Sequence, residues 1–131
     1  MTEKYKRFLV DSNIFIYHLN GEKRATDFLK RYSDKIYISR ITVIEVLSFD
    51  FLEEEYEKAK ELMQIFETLD TTYKIALKCI ENRKIKKIKI ADNIIASTAM
   101  VYGLTLITRN IKDFKNLKID MVDIFSQGSA I

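Results

Sequence analysis

The sequence predicts an α/β fold built on a short, mainly parallel sheet, and two observations predict it. Two apolar runs of strand length, Phe8-Leu9-Val10 and Leu104-Thr105-Leu106-Ile107, each end in small polar groups and lead into helix-forming sequence. Between and beyond them, stretches with helical apolar spacing alternate with further short apolar runs, the pattern of strands joined through crossover helices. Right-handed crossovers bring the strand ends to one edge, where ligands bind in open parallel sheets.

Taken in order, Phe8-Leu9-Val10 is the first strand, and Ser12 can cap a helix that runs to about Leu19 and stops at Asn20-Gly21. Ala25, Phe28, Leu29 and Tyr32 continue at helical spacing, and Ile36-Tyr37-Ile38 reads as a second strand. After Ser39, residues Ile41, Ile44 and Leu47 define an apolar stripe that places Glu45 on or beside the buried face. Glu53 to about Leu69 reads as one long amphipathic helix with an acidic first turn. Tyr73 to about Arg83 is a further helix with Ile75, Ala76, Cys79 and Ile80 facing inward. Ala91 to Tyr102 is a helix rich in small residues, and Gly103 supplies its stop. A strand from Leu104, a turn around Phe114 and a last strand near Ile119 to Val122 complete the pattern. The tail from Ser126 is expected to fray, and nothing reads as a linker, so one domain over residues 1–131 is expected.

A chain of 131 residues is long enough to bury a core, and 47% apolar with 31% charged residues describes a globular protein. No apolar run reaches the roughly 20 residues that cross a bilayer, and Met1-Thr2-Glu3-Lys4 does not begin a signal peptide, so a cytoplasmic location is expected. The single cysteine, Cys79, excludes an internal disulfide and a cysteine-based zinc site. A net charge of +3 does not by itself mark a nucleic-acid binder. The basic segment of Arg83, Lys84, Lys86, Lys87 and Lys89 does offer contacts to phosphates, although such a run is commonly a solvated helix end.

Function is written in the acids. Asp11 closes the first strand, Glu45 sits between Val43-Ile44 and Val46-Leu47, Asp92 opens a helix, and Asp113 precedes Phe114 in a turn. Each has an ordinary reading alone: a cap, a snorkelling edge residue, a first-turn acid and a turn residue. Gathered at one sheet edge, however, they cannot all ionise cheaply without a cation between them. Oxygen donors suit Mg²⁺ or Mn²⁺, whereas zinc would want more histidine and cysteine than His18 and Cys79 supply. With no histidine base, no paired nucleophile and only isolated glycines at 21, 103 and 128, acyl transfer and nucleotide binding lack their parts. Metal-activated water attacking a phosphodiester needs only such carboxylates, polar orienters and nearby positive charge.

Val10-Asp11-Ser12-Asn13-Ile14, Glu45 within Thr42 to Leu47, Ala91-Asp92-Asn93 through Ala99, and Leu106-Ile107-Thr108-Arg109-Asn110 through Phe114 together resemble a PIN domain. The resemblance is greatest to short VapC-type toxins of prokaryotic toxin–antitoxin pairs, and it spans nearly the whole chain. It implies a three-layer α/β/α fold and a metal-dependent endoribonuclease acting on RNA. A homodimer and a cognate VapB-like antitoxin partner are implied as well. On this basis Asp11, Glu45, Asp92 and Asp113 are catalytic Mg²⁺ or Mn²⁺ ligands, and Asn110 stands where some relatives carry an acid. Ser12, Asn13, Thr108 and Asn110 would orient water or ligands, and Arg109 with Lys84, Lys86, Lys87 and Lys89 would hold the RNA backbone. A receiver domain needs an acidic pair after the first strand and a late lysine. A haloacid-dehalogenase-type phosphatase needs an aspartate at Asn13. The remaining alternative is a catalytically weak or inactive PIN-fold module that binds RNA or protein.

Overall fold

The structure is a computed structural model that describes residues 6–126. Its sheet has five parallel strands: β1 (Phe8–Val10), β2 (Ile36–Ser39), β3 (Glu67–Leu69), β4 (Thr105–Ile107) and β5 (Met121–Val122). They lie in the order β3-β2-β1-β4-β5, with Leu9 in register with Tyr37 on one side and Leu106 on the other. The chain steps outward from β1 to β3, then returns to lay β4 on the opposite side of β1. The topological switch point therefore falls between β1 and β4, with Asp11 and Thr108 just past their carboxyl ends.

The described residues also form six α-helices: α1 (Ser12–Leu19), α2 (Lys23–Arg31), α3 (Arg40–Leu47), α4 (Glu53–Ile65), α5 (Tyr73–Ile85) and α6 (Ile90–Tyr102). Strand side chains alternate between two cores. Phe8, Val10, Ile36, Ile38 and Ile107 join Ile14 and Phe15 of α1, Phe28 and Leu29 of α2, and Leu62 and Met63 of α4. Leu9 and Leu106 point the other way, to Ile95, Ala96 and Ala99 of α6 and to Phe114. Burial on both faces suits the near-continuous apolar character of β1 and β4. Helices on both sides of the sheet give the three-layer arrangement.

The small residues of α6 let it lie close on the sheet, and its outer side is locked to α5 by a polar network. Asn93 Nδ2 donates to the Cys79 carbonyl at 2.9 Å, and Asn82 Nδ2 donates to Asn93 Oδ1 at 3.1 Å and Ser97 Oγ at 3.0 Å. Asn82, Asn93 and Ser97 are all buried, where only complete hydrogen bonding makes amides tolerable. Gly103 closes α6 in the left-handed conformation at φ +66°, as its sequence position predicts.

Several elements differ from expectation. The long helix from Glu53 ends at Ile65, and Glu67–Leu69 is β3. Helical periodicity carries past that point, but pairing of Tyr37, Ile38 and Ser39 with Glu67, Thr68 and Leu69 satisfies the exposed edge of β2. On α3 the buried residues are Thr42 and Val46, while Ile44 is 53% exposed and Glu45 is exposed. That helix is apolar nearly all round, so spacing alone does not choose its inner face. On α5, which runs on to Ile85, Ile80 faces outward and Asn82 takes the inner position. Cys79 is a buried core residue as expected. The last strand shortens to Met121–Val122. Ser126 is exposed, and the rest of the expected frayed tail, residues 127–131, lies outside the described residues. Among the described residues no helix is long and apolar enough to cross a membrane.

Replacing Asn93 by Ala strips the Cys79 carbonyl of its donor and Asn82 of one acceptor. A loss of roughly 1–3 kcal/mol is expected, read as a fall in the urea midpoint at unchanged slope. An unchanged midpoint would remove the network from the list of forces holding α6.

Candidate functional site

Asp11 is the floor of the site. It is 5% exposed, and its backbone N–H still donates to the Ile107 carbonyl at 2.9 Å, extending the β1–β4 ladder by one residue. Asp11, rather than Ser12, is the N-cap of α1: its Oδ1 accepts from the Ser12 N–H at 2.7 Å. Its Oδ2 accepts from Thr108 Oγ1 at 2.7 Å and from Asn13 Nδ2 at 3.4 Å. Thr108 Oγ1 in turn accepts from the Asn110 N–H at 3.0 Å, so one hydroxyl joins the β4 loop to the carboxylate. The capping and functional readings of Asp11 are therefore compatible: three donors hold it, and a carboxylate with about four acceptor sites keeps room for more.

The other acids stand higher. Asp92 is half-buried in the first turn of α6, while Glu45 on α3 and Asp113 in a 3₁₀ turn at Ile111–Phe114 are exposed. Ser12 Oγ donates to Glu45 Oε1 at 2.6 Å, tying α1 to α3 across the site. Burial pushes the Asp11 carboxyl up to about 6, against donors from Thr108 and Ser12 that lower it, and the charges of Asp92 and Glu45 add to the rise. Asp92 is raised for the same first reason, then by Asp113 and Glu45, with Lys89 pulling it back. Asp11, Glu45 and Asp92 are thus within electrostatic reach of one another, and Asp113 is within reach of Asp92, although the four come from separate elements.

Whether this set suits a divalent cation is a question of donors and geometry. All four candidates are oxygen ligands, the choice of a hard ion. Asn13 Oδ1 is buried with no hydrogen-bond partner, an acceptor of the kind a bound cation or its water would satisfy. Among the described residues, no three His, Cys, Asp or Glu side chains are already closed up as an ion-holding group. Repulsion between carboxylates favours that open spacing, and a cation would relieve it. The residue types fit.

The basic candidates divide. Lys86 Nζ donates to the Lys112 and Lys115 carbonyls, both at 3.0 Å, and so braces the loop that carries Asp113. Lys84, Lys87 and Lys89 are exposed, and Lys89 is near enough to Asp92 to lower its pKa. Arg109 is exposed and lies against Tyr17 and Phe125. His18 is half-buried, its Nδ1 at 2.7 Å from Thr26 Oγ1, and burial and Lys30 lower its pKa; it stands apart from the acids. Sequence reading missed the support given by Asn82 and Asn93 to the helix of Asp92. The one signal was an asparagine at an inner position of an apolar helix.

A parallel sheet between helix layers, with acids from separate elements gathered at its switch point, defines an α/β protein of the PIN type. The family model for the PIN domain matches residues 8–119, and the chain belongs to that family. Among solved structures it is similar to a toxin–antitoxin complex from Klebsiella pneumoniae, at 30% identity and TM-score 0.79 over 88% of this chain and 96% of that one. DNA-bound VapBC from Salmonella typhimurium matches at 22% identity and TM-score 0.80, covering 91% of this chain and 98% of its own. FitAcB from Neisseria gonorrhoeae matches at 22% and 0.78, covering 90% and 98%. The two latter similarities speak for the fold alone. No curated protein matches the sequence significantly.

The raised pKa of Asp11 has a consequence for stability. The folded chain binds this proton more tightly than the unfolded chain, so this carboxyl's contribution to stability is fully present below the ordinary value of 3.8 and is lost as pH rises to about 6. In chelator, Asp11→Asn should therefore flatten the pH dependence of the unfolding free energy over this acidic window, whatever its effect at a single pH. An unchanged pH dependence in Asp11→Asn would contradict the raised pKa of this carboxyl.

Proposed function

We propose that the protein is a VapC-like toxin, a metal-dependent endoribonuclease that hydrolyses RNA phosphodiester bonds and is neutralised by a cognate VapB-like antitoxin. The observation that carries this reading is the buried Asp11 carboxylate, at the switch point of a PIN fold, within electrostatic reach of Asp92 and Glu45. Membership of the PIN family and the 30% identity to a chain of a toxin–antitoxin complex support it. A homodimer acting in the cytoplasm belongs to the same reading.

Asp11, Glu45, Asp92 and Asp113 would hold Mg²⁺ or Mn²⁺. Bound there, the ion would supply Lewis acidity toward a phosphodiester and would lower the pKa of a water it coordinates. Thr108 and the Ser12 N–H keep the Asp11 oxygens in fixed directions, which removes reorganisation cost when the reaction occurs. Ser12 restrains the flexible Glu45 side chain, and Asn13 presents a free buried acceptor beside Asp11. Lys89, with Lys84 and Lys87, offers positive charge to the RNA backbone.

The rival reading, a PIN-fold module that binds RNA or protein without cutting, draws on Asn110, an uncharged residue where some relatives carry an acid, and on the open spacing of the acids. Calorimetric titration with Mn²⁺ and a cleavage assay on single-stranded RNA separate the two. The nuclease should bind Mn²⁺ and cut only with divalent metal. Asp11→Asn should lower the cleavage rate by at least about a hundredfold without loss of fold. Equal cleavage by wild type and Asp11→Asn in Mn²⁺ would refute the site assignment.

A further inference from the structure

The carboxyl edge of the sheet carries one cation held differently from the others. Arg109 directly follows Thr108, whose hydroxyl touches Asp11. Its guanidinium carbon lies 5.1 Å from the centre of the Tyr17 ring and 4.6 Å from that of Phe125. These rings contact each other at 5.2 Å with their planes tilted by 59°, so the guanidinium lies against a two-ring apolar shelf. Tyr17 belongs to α1, the helix capped by Asp11, and Phe125 follows β5. Arg24 Nη1 donates to the Phe125 carbonyl at 2.7 Å and fixes the outer half of that shelf.

Arg109 is nonetheless exposed. Among the described residues the ion pairs are Lys23–Asp27, Arg40–Asp70 and Lys78–Glu81, so no carboxylate claims it. Lys86, by contrast, is committed to two carbonyls. A cation with no hydrogen-bond acceptor or carboxylate partner among the described residues, resting against two rings and one position along the chain from Thr108, is arranged for a ligand. Contact with the two rings occupies no N–H group of the guanidinium in a hydrogen bond among the described residues, and those N–H groups form a fork matched to two oxygens of one phosphate. The shelf also reduces the rotamer freedom that a free arginine would lose on binding.

We infer that Arg109, held on Tyr17 and Phe125, is a bidentate clamp for a backbone phosphate of the RNA strand that enters the acid cluster. The identity of the strand rests on the nuclease reading; the fork, the shelf and their place next to Thr108 do not. A phosphate is favoured over a carboxylate of an acidic protein segment because a strand crossing the site presents one phosphate per nucleotide. A cation one residue from Thr108 then meets such a group whichever base is bound.

The test uses the full chain with Asp11→Asn, which keeps RNA whole, and follows a labelled single-stranded RNA oligonucleotide by anisotropy over a salt series. Arg109→Lys keeps the charge and loses the fork, and Kd should rise about tenfold. Arg109→Ala should weaken binding at least as much and reduce the log–log salt slope by about 1. Phe125→Leu should raise Kd several-fold in the parent and have no further effect once Arg109 is lysine, because the ring acts only through the guanidinium. Unfolding midpoints check that each variant is native. Arg109→Lys binding within about twofold of the parent would overturn the clamp, as would an unchanged salt slope in Arg109→Ala. RNA binding that survives while binding to an acidic protein partner is lost would overturn it too. Wild-type cleavage in Mn²⁺ is measured separately. Should the wild type fail to cut while the Arg109 variants lose RNA as stated, the nuclease reading falls and the clamp stands.

Discussion

Burial of the Asp11 carboxylate at the centre of the sheet is the constraint around which the rest of the site is organised. A charge there is costly, and the chain meets that cost with the Ser12 N–H, the Thr108 hydroxyl and the Asn13 amide rather than with a cationic partner. An arginine or lysine beside Asp11 would stabilise the empty fold and would compete with a divalent ion. Donors without formal charge orient the oxygens and leave their negative charge uncompensated. The raised pKa of Asp11 is the thermodynamic record of that choice.

The remaining acids are positioned by devices that differ in kind. Asp92 depends on the angle of α6, which is set by small residues against the sheet and by buried amides against α5. Glu45 sits on a short helix with only Thr42 and Val46 fully buried, and a hydrogen bond from Ser12 restrains its side chain. Asp113 rides on a turn anchored below by Phe114 and above by Lys86. Burial therefore declines from Asp11 outward, through the half-buried Asp92 to the exposed Glu45 and Asp113.

The parallel α/β character was legible because β1 and β4 are strongly apolar and end in polar residues, and because Gly103 marks a helix stop without ambiguity. The acids were legible as residues out of place among apolar neighbours. Less legible were features that depend on a partner distant in the chain. Glu67–Leu69 carries no strand signal of its own and becomes β3 only where the edge of β2 offers a ladder. The inner face of α3 is equally silent in its sequence, since apolar residues surround the helix. Arg109 reads simply as a basic residue until Tyr17 and Phe125 are seen beneath it.

Local chemistry along the chain thus determined the periodicity of most elements and the kind of side-chain donor atoms available. The tertiary structure decided which of the acids lie within reach of one another, that Asp11 is at the floor and Glu45 at the rim, and that Arg109 lies against two rings while Lys86 is consumed by the loop. The division has a physical basis. Propensity and ligand chemistry are properties of a residue and its near neighbours, whereas burial, electrostatic coupling and strand pairing depend on distances that exist only once the sheet has formed.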